Sequence, residues 1–337
     1  MSHQPLTLQY RPVDFKTVVG QDHITSVIRE QIAHDAAKAN YLFFGPRGTG
    51  KTSTARIVAK ALNCLNPDHG NPCNQCANCL AIAENRTLDI VEIDAASHTG
   101  VDNVREEIIA KVPYQPSQLK KKVYIIDEVH MLSKGAFNAL LKVMEEPPSY
   151  VTFILATTEI HKVPETIVSR CQSFQFSRVA RDAIVERLQT IADAEGIKTE
   201  SDALWTIAKV SEGIMRDAVK YLDQVSVLGD VTSDRVQSFL GMVDDEKIAA
   251  LLGLLHNGDV TGAIEEVTSL QASGVDLAQF AKQVLAYVDE HFLDDVEQMT
   301  MMAGLFGKIL GEMKYYPYPL LVYKRYFGER MREGEKG

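Results

Sequence analysis

The sequence predicts an α/β fold followed by helices: a parallel sheet covered by helices up to about residue 178, then an all-helical remainder. Three observations carry this. Between Tyr41 and about Phe176, the short apolar runs "YLFF", "DIVEID", "KVYIID" and "VTFILATT" alternate with helical patterns. The first run leads into a glycine-rich turn and then the helical "STARIVAKAL". After about Arg178 the strand signal stops.

Beyond that point "RDAIVERLQTIADAEG" and "SDALWTIAKVSEG" read as amphipathic helices, each ending at a glycine suited to the position just past a helix. "SDRVQSFLGMVDD" has the length of a short helix, and a boundary is expected near Met242 to Asp245. From there "EKIAALLGLL", "VTGAIEEVTSLQASG" and "LAQFAKQVLAYVDEHFL" place apolar residues at helical spacing. The expected division is therefore 1–178, 179–243 and 244–337. Met299, Met301 and Met302 are read as core filler.

At 337 residues and 45% hydrophobic, the chain can bury several cores. Its net charge of −10 argues against a free-standing, strongly basic nucleic-acid binder. Basic and acidic residues nearly balance over residues 1–179, and the acidic excess lies in the remainder. Any nucleic-acid contact is expected in the first half, with neighbouring subunits completing the positive field. No basic segment followed by an apolar stretch opens the sequence, and no apolar run is long enough to span a bilayer, so a cytoplasmic location is expected.

"GPRGTGKT" matches the phosphate-loop pattern, with a strand before it and a helix after it. Gly45, Pro46, Arg47, Gly48, Thr49, Gly50, Lys51 and Thr52, with Ser53 behind them, form the expected phosphate-binding set. The glycines let backbone N–H groups converge on one phosphate chain at a helix N-terminus. Lys51 is expected on the β- and γ-phosphates and Thr52 on Mg²⁺. In "KVYIIDEVH" a buried strand delivers two acids whose side chains point in opposite directions. Asp127 suits the metal shell, directly or through water, and Glu128 suits the group that polarises the attacking water, which together imply ATP hydrolysis. Thr157 and Thr158 close the next strand. A hydroxyl there could sense the γ-phosphate or hold the water, although strand propensity also accounts for threonines at that place.

Cys64, Cys73, Cys76 and Cys79 follow C-x8-C-x2-C-x2-C, with Asn, Pro, Gly and Asp forming a compact loop between the first two. In a reducing compartment close-set thiols favour a metal over disulfides. Four thiolates suit a closed, structural Zn²⁺ site. An iron–sulfur centre of the C-x2-C-x2-C-x3-C type would need a cysteine at position 83, which is Ala83. Cys171 has no metal partners in sequence and is expected to be buried.

In this order, "VVGQ", "GPRGTGKT", "IIDEVHML", "LATTE", "SRC" and "GIMRDA" resemble the DNA polymerase III gamma/tau family of bacterial clamp-loader ATPases, within the AAA+ class. "YRPVDFKTVVGQ", "IDAASHTGVDNVRE" and "NALLKVMEEPP" extend the likeness to about residue 225. The resemblance implies an AAA+ domain with a zinc-binding insert, a helical lid over 179–243 and a collar that mediates oligomerisation over 244–337. It implies that Tyr10, Arg11, Pro12, Val18 and Val19 lie near adenine and ribose. Thr158, with Thr157 adjacent, becomes a first nucleotide sensor, and Arg216 a second one reaching from the lid. Arg170 becomes an arginine finger acting in trans on a neighbouring subunit's ATP. The partners implied are other loader subunits in a hetero-pentameric ring, the sliding clamp, and primer-template DNA held by its backbone. "DAASHTGVDNVRE" is expected to start a helix around Val101 to Asn103, capped by Thr99 or Asp102, and to face the DNA with Arg105; an ordinary surface helix fits the same pattern.

Two other readings compete. A ring helicase or branch-migration motor shares the phosphate loop and finger, but the cysteine insert and the helical C-terminal unit oppose it. A non-catalytic loader scaffold is opposed by the intact "GKT" and "DE". No polymerase active site is apparent, because the paired acids belong to the ATPase.

Overall fold

A computed structural model describes residues 4–97 and 100–334. The chain forms two compact units, Met1–Val231 and Thr232–Gly337, dividing ahead of the break expected near Met242.

The first unit is built on five parallel strands, β1 (Asn40–Phe44), β2 (Ile90–Asp94), β3 (Lys122–Asp127), β4 (Val151–Thr157) and β5 (Gln172–Gln175). They lie in the order β2-β3-β4-β1-β5. Parallel neighbours require crossovers, and the chain supplies helices for them. Before and after β1 come α1 (Leu6–Gln9), α2 (Asp22–Ala33), α3 (Lys51–Asn63) and α4 (Ala77–Ala83). Next are α5 (Val101–Val104), running into a π turn at Arg105–Ile109, α6 (Lys134–Glu145) and α7 (Glu165–Val168). β5, "QSFQ", was not singled out by its sequence: it is a short edge strand of alternating burial rather than an apolar run.

β3 and β4 are buried almost throughout, because helices cover both sheet faces. One face packs Leu42, Tyr124, Ile126 and Leu155 against α6 residues Phe137 and Leu140. The other packs Tyr41, Phe43, Val123 and Ile154 against Ile57 and Val58 of α3 and Ile24 and Ile28 of α2. Phe44 aligns with Thr157, and Asp94 with Asp127, so the carboxyl ends of β1 and β4, and of β2 and β3, finish together.

Asp89, only 2% exposed, pins the loop before β3. It accepts from the backbone N–H groups of Ser117 (2.8 Å), Gln118 (2.7 Å) and Leu119 (2.9 Å). Burial alone would push this carboxyl up, but those N–H groups outweigh burial and hold it below the usual carboxylate range. Its stabilisation is therefore present above the unfolded pKa and lost as pH falls through the folded one. Asp89→Asn is expected to cost about 2–3 kcal/mol at neutral pH. Urea denaturation should show it, with mutant and wild type converging below about pH 4.

The remainder of this unit is helical: α8 (Arg181–Glu195), α9 (Ser201–Val210) and α10 (Met215–Ser226). Gly196 ends α8 with φ 68°, as expected. Gly213 does not end α9, which stops at Val210; its φ of 79° instead lets the backbone pass Arg178, whose Cβ would lie 2.6 Å from an added Cβ. α5 is capped by the backbone of Gly100 with no side-chain bond, and Asp102 lies inside the helix, which corrects its expected capping role. Thr99 lies outside the described residues. Arg105 is exposed and 3.6 Å from Asp102.

The second unit contains α11 (Ser233–Leu240), α12 (Asp245–His256), α13 (Val260–Ala272), α14 (Leu277–Glu290), α15 (Val296–Met313) and α16 (Pro319–Gly334). Its core joins Leu251, Val267, Phe280, Val284, Phe306 and Tyr323. Met299 and Met302 are buried in it, whereas Met301 is 40% exposed and corrects the reading of all three as filler. No helix among the described residues is long and apolar enough to cross a membrane.

Candidate nucleotide-binding site

The phosphate loop connects β1 to α3. Gly45 has φ 140°, and a Cβ there would lie 2.2 Å from the Phe176 carbonyl oxygen, so only glycine fits. Gly50, at φ 102°, opens α3 with no side-chain cap, leaving the first-turn N–H groups of the helix facing outward. The loop from Arg47 to Ser53 borders a cleft of about 420 Å³ inside the first unit.

Of the residues singled out by sequence, Tyr10, Arg11, Pro12, Val18, Val19, Arg47, Gly48, Thr49, Gly50, Lys51, Thr52, Ser53, Asp127, Glu128 and Arg216 all line this cleft. Gly45, Pro46, Thr157, Thr158 and Arg170 do not. Gly45 and Pro46 contribute their carbonyls instead: Lys51 Nζ donates to them at 2.9 and 2.8 Å. Burial pulls the Lys51 ammonium below its ordinary range, and Glu128 and Asp127 offset part of that.

Thr52 Oγ1 donates to Asp127 Oδ2 at 2.6 Å. A hydroxyl and a carboxylate side by side are the hard oxygen donors that suit Mg²⁺. Glu128 departs from its neighbour at once: with φ 47° it leaves the strand's alternation and turns toward the end of β4. There Glu128 Oε2 accepts from Thr158 Oγ1 at 3.1 Å and from Thr158 N at 3.3 Å.

Thr157 is fully buried, which corrects its expected contact with nucleotide. Successive strand side chains take opposite faces, so only one of the two threonines can meet Glu128. The Thr157 hydroxyl instead shares a 2.9 Å hydrogen bond with His130 Nδ1. His130 is itself nearly buried, 3.4 Å from Glu128 Oε2 and 3.3 Å from Glu159 Oε1. Sequence reading passed over it because a single histidine after an acidic pair has no pattern of its own.

Other contacts also escaped the sequence. Leu6, Thr7, Leu8, Met215 and Val219 line the cleft, the last two because α10 begins at the phosphate loop. The Arg216 backbone N–H donates to Gly48 O at 3.4 Å, and an added Cβ on Gly48 would meet Ile214 at 2.5 Å. Tyr10 is held by α8: its hydroxyl donates to Glu195, and Arg187 donates to its carbonyl at 3.2 Å. A periodic pattern would have read Arg187 and Glu195 as a solvated helix face.

Arg170 lies apart from the cleft. Its guanidinium donates to Glu145 Oε1 at 2.6 Å and to Thr166 O at 2.7 Å.

The four clustered cysteines carry no disulfide, and their sulfurs all lie within 4.8 Å of one another. Backbone N–H groups point at three of them: Cys73 N at Cys64 Sγ (3.3 Å), Cys76 N at Cys73 Sγ (3.4 Å) and Leu65 N at Cys76 Sγ (3.5 Å). Burial opposes ionisation of Cys76, yet the N–H groups of Leu65 and Cys79 bring its thiol down to about 6, whereas burial pushes the Cys64 and Cys79 thiols up. Donors aimed at sulfur are what metal-bound thiolates require. Cys171 lies outside the cluster, half-buried, its thiol pushed up to about 12 by burial.

A parallel sheet in this order, with a phosphate loop on an inner strand and a helical lid meeting that loop, is the architecture of an AAA+ ATPase. The family described as "DNA polymerase III, delta subunit" matches residues 20–180. "DNA polymerase III clamp loader subunit, ATPase lid domain" matches 183–230, and "DNA polymerase III subunits gamma and tau domain III" matches 231–300. The chain is 42% identical to the DNA polymerase III subunit tau of Bacillus subtilis, an alignment covering 96% of this chain and 62% of that protein. It is 41% identical to the DNA polymerase III subunit gamma of Buchnera aphidicola subsp. Baizongia pistaciae, covering 78% and 72% respectively. The chain belongs to the DNA polymerase III gamma/tau subunit family of clamp-loader proteins. In fold it is similar to the Holliday junction branch migration motor RuvB of Thermotoga maritima, with TM-score 0.52 and 18% identity over 73% of this chain and 79% of that one.

Proposed function

We propose that this chain is an ATP-hydrolysing motor subunit of a bacterial clamp loader, acting in the cytoplasm within a hetero-pentameric ring of loader subunits. Its task is to open a sliding clamp and release it on primer-template DNA, gripping the DNA backbone without reading sequence. The observation that carries this reading is the convergence of Lys51, Thr52, Asp127, Glu128 and Arg216 on one cleft. The proposed division is an AAA+ part over 1–178, a lid over 179–243 and a collar over 244–337.

ATP is the substrate, and Lys51 exchanges its two carbonyl partners for the β- and γ-phosphates. Thr52 and Asp127 hold Mg²⁺, which offsets the charge of the phosphate oxygens. Glu128 orients the attacking water and accepts its proton. Thr158, bonded to Glu128, links that carboxylate to the nucleotide as the first sensor, and Arg216 brings the lid to the phosphates as the second. Arg170, tethered away from its own cleft, serves the ATP of the adjacent subunit. Cys64, Cys73, Cys76 and Cys79 hold Zn²⁺, which supplies folding free energy to a loop otherwise poor in regular structure.

Steady-state ATP turnover of the reconstituted loader tests the reading. Weak activity alone and strong stimulation by clamp and primed DNA together are expected, and equal rates under all conditions would refute it. Lys51→Ala should abolish clamp loading; a scaffold role predicts that loading persists.

A further inference from the structure

The cysteine loop is tied, through two buried polar side chains that the reaction itself does not use, to the segment whose residues Arg11, Pro12 and Val18 line the nucleotide cleft. α3 runs from Lys51 at the cleft to Asn63, with Cys64 as the next residue. Near its end Lys60, only 6% exposed, donates to the Val13 carbonyl at 2.5 Å and to Asn74 Oδ1, inside the cysteine loop, at 2.6 Å. Val13 directly follows Arg11 and Pro12, which line the cleft.

A second tie is independent of the first. Asn71, 4% exposed, accepts from the Phe15 backbone N–H at 3.0 Å. Asp68 and Asn71 pair through both backbone hydrogen bonds, at 2.9 and 2.8 Å, around a tight turn at His69 and Gly70. That turn lies flush on α2: a Cβ on Gly70 would come within 2.1 Å of the Arg29 carbonyl oxygen. Phe15 and Val18 share the same core, and Val18 also lines the cleft. The segment from Arg11 to Val18 therefore has the nucleotide on one side and the cysteine loop on the other.

The electrostatics agree with this geometry. A buried ammonium is costly unless negative charge lies nearby. Burial pulls the Lys60 ammonium below its ordinary range, and Cys79, Asp14 and Cys64 offset part of that. Four thiolates around a divalent cation leave a net negative charge that answers it.

We propose that Lys60 and Asn71 are positioning residues through which the metal-bound cysteine loop braces the nucleobase-binding segment, so that zinc occupancy sets nucleotide affinity. This rests on the nucleotide and zinc readings above. The brace acts first on the base and ribose side, because the phosphates meet N–H groups of the loop Gly45–Thr52; Arg11 Nε, donating to Ser53 Oγ at 3.2 Å, is a point where the two sides touch.

The test uses the purified chain in three forms: zinc-loaded, chelator-depleted, and Asn71→Ala with its zinc content measured. Each is titrated with a fluorescent non-hydrolysable ATP analogue and, in competition, with tripolyphosphate, which has no base; thermal midpoints are recorded alongside. Depletion is expected to weaken the analogue roughly tenfold and reversibly, and Asn71→Ala roughly three- to tenfold with zinc retained, while tripolyphosphate affinity stays constant. Lys60→Gln should behave as Asn71→Ala does. Equal analogue affinity with and without zinc overturns the brace, and so does parallel loss of both ligands, which marks general destabilisation. A zinc-loaded wild-type chain that binds neither ligand would instead bring down the nucleotide reading itself, and the brace with it.

Discussion

Arg170→Ala is expected to lower ATP turnover of the assembled ring by about 10³- to 10⁵-fold, the effect of a cation positioned on the transferring phosphoryl group. The isolated chain's nucleotide affinity and weak basal turnover should not change, because Arg170 does not line its own cleft. The guanidinium is already oriented by Glu145 and Thr166, so little ordering remains to be supplied when a neighbouring site approaches. Lysine should not rescue it, since one ammonium cannot keep both tethers and still present a planar fork. Comparing single-turnover rates of mutant and wild-type rings at saturating ATP decides the matter. Full-rate cleavage by the lone chain, indifferent to the substitution, would sink the trans assignment.

Glu128→Gln is the second large effect. Turnover is expected to fall by about 10²- to 10⁴-fold, the usual contribution of a general base, while ATP binding is retained. Glutamine keeps a carbonyl oxygen for the two bonds from Thr158, so local architecture should survive while proton-accepting power is lost. The mutant ring should then hold ATP and an open clamp without releasing it. Equilibrium binding of labelled ATP with single-turnover hydrolysis separates the two properties, and turnover close to wild type would remove Glu128 from the base role.

Much of the site could be read from the sequence because its chemistry is written in contiguous stretches. The phosphate loop needs glycines in sequence with Lys51 and Thr52, and a strand ending in Asp127, with Glu128 next, brings both acids to the carboxyl end of the sheet. The cysteine spacing likewise points to one cluster, and the four sulfurs lie within 4.8 Å of one another. Where reading failed, local rules were ambiguous. Thr157 and Thr158 are equally good strand residues, and only the pleat determines which one meets Glu128. Met301 shares a helix with Met299 and Met302 but occupies a different face. Gly213 looked like a helix end, yet its conformation serves a close passage by Arg178.

The sequence by itself determined which groups are present and on what kind of element each one sits, since propensity, periodicity and spacing act over a few residues. Tertiary structure alone decided how those groups meet: the lid helix α10 against Gly48, Tyr10 between Arg187 and Glu195, His130 among Thr157, Glu128 and Glu159, and Lys60 beneath Val13. Each of these contacts joins residues whose separation or facing depends on how packed elements register against one another. That register follows from burying both faces of the sheet at once, a condition no short window of sequence contains.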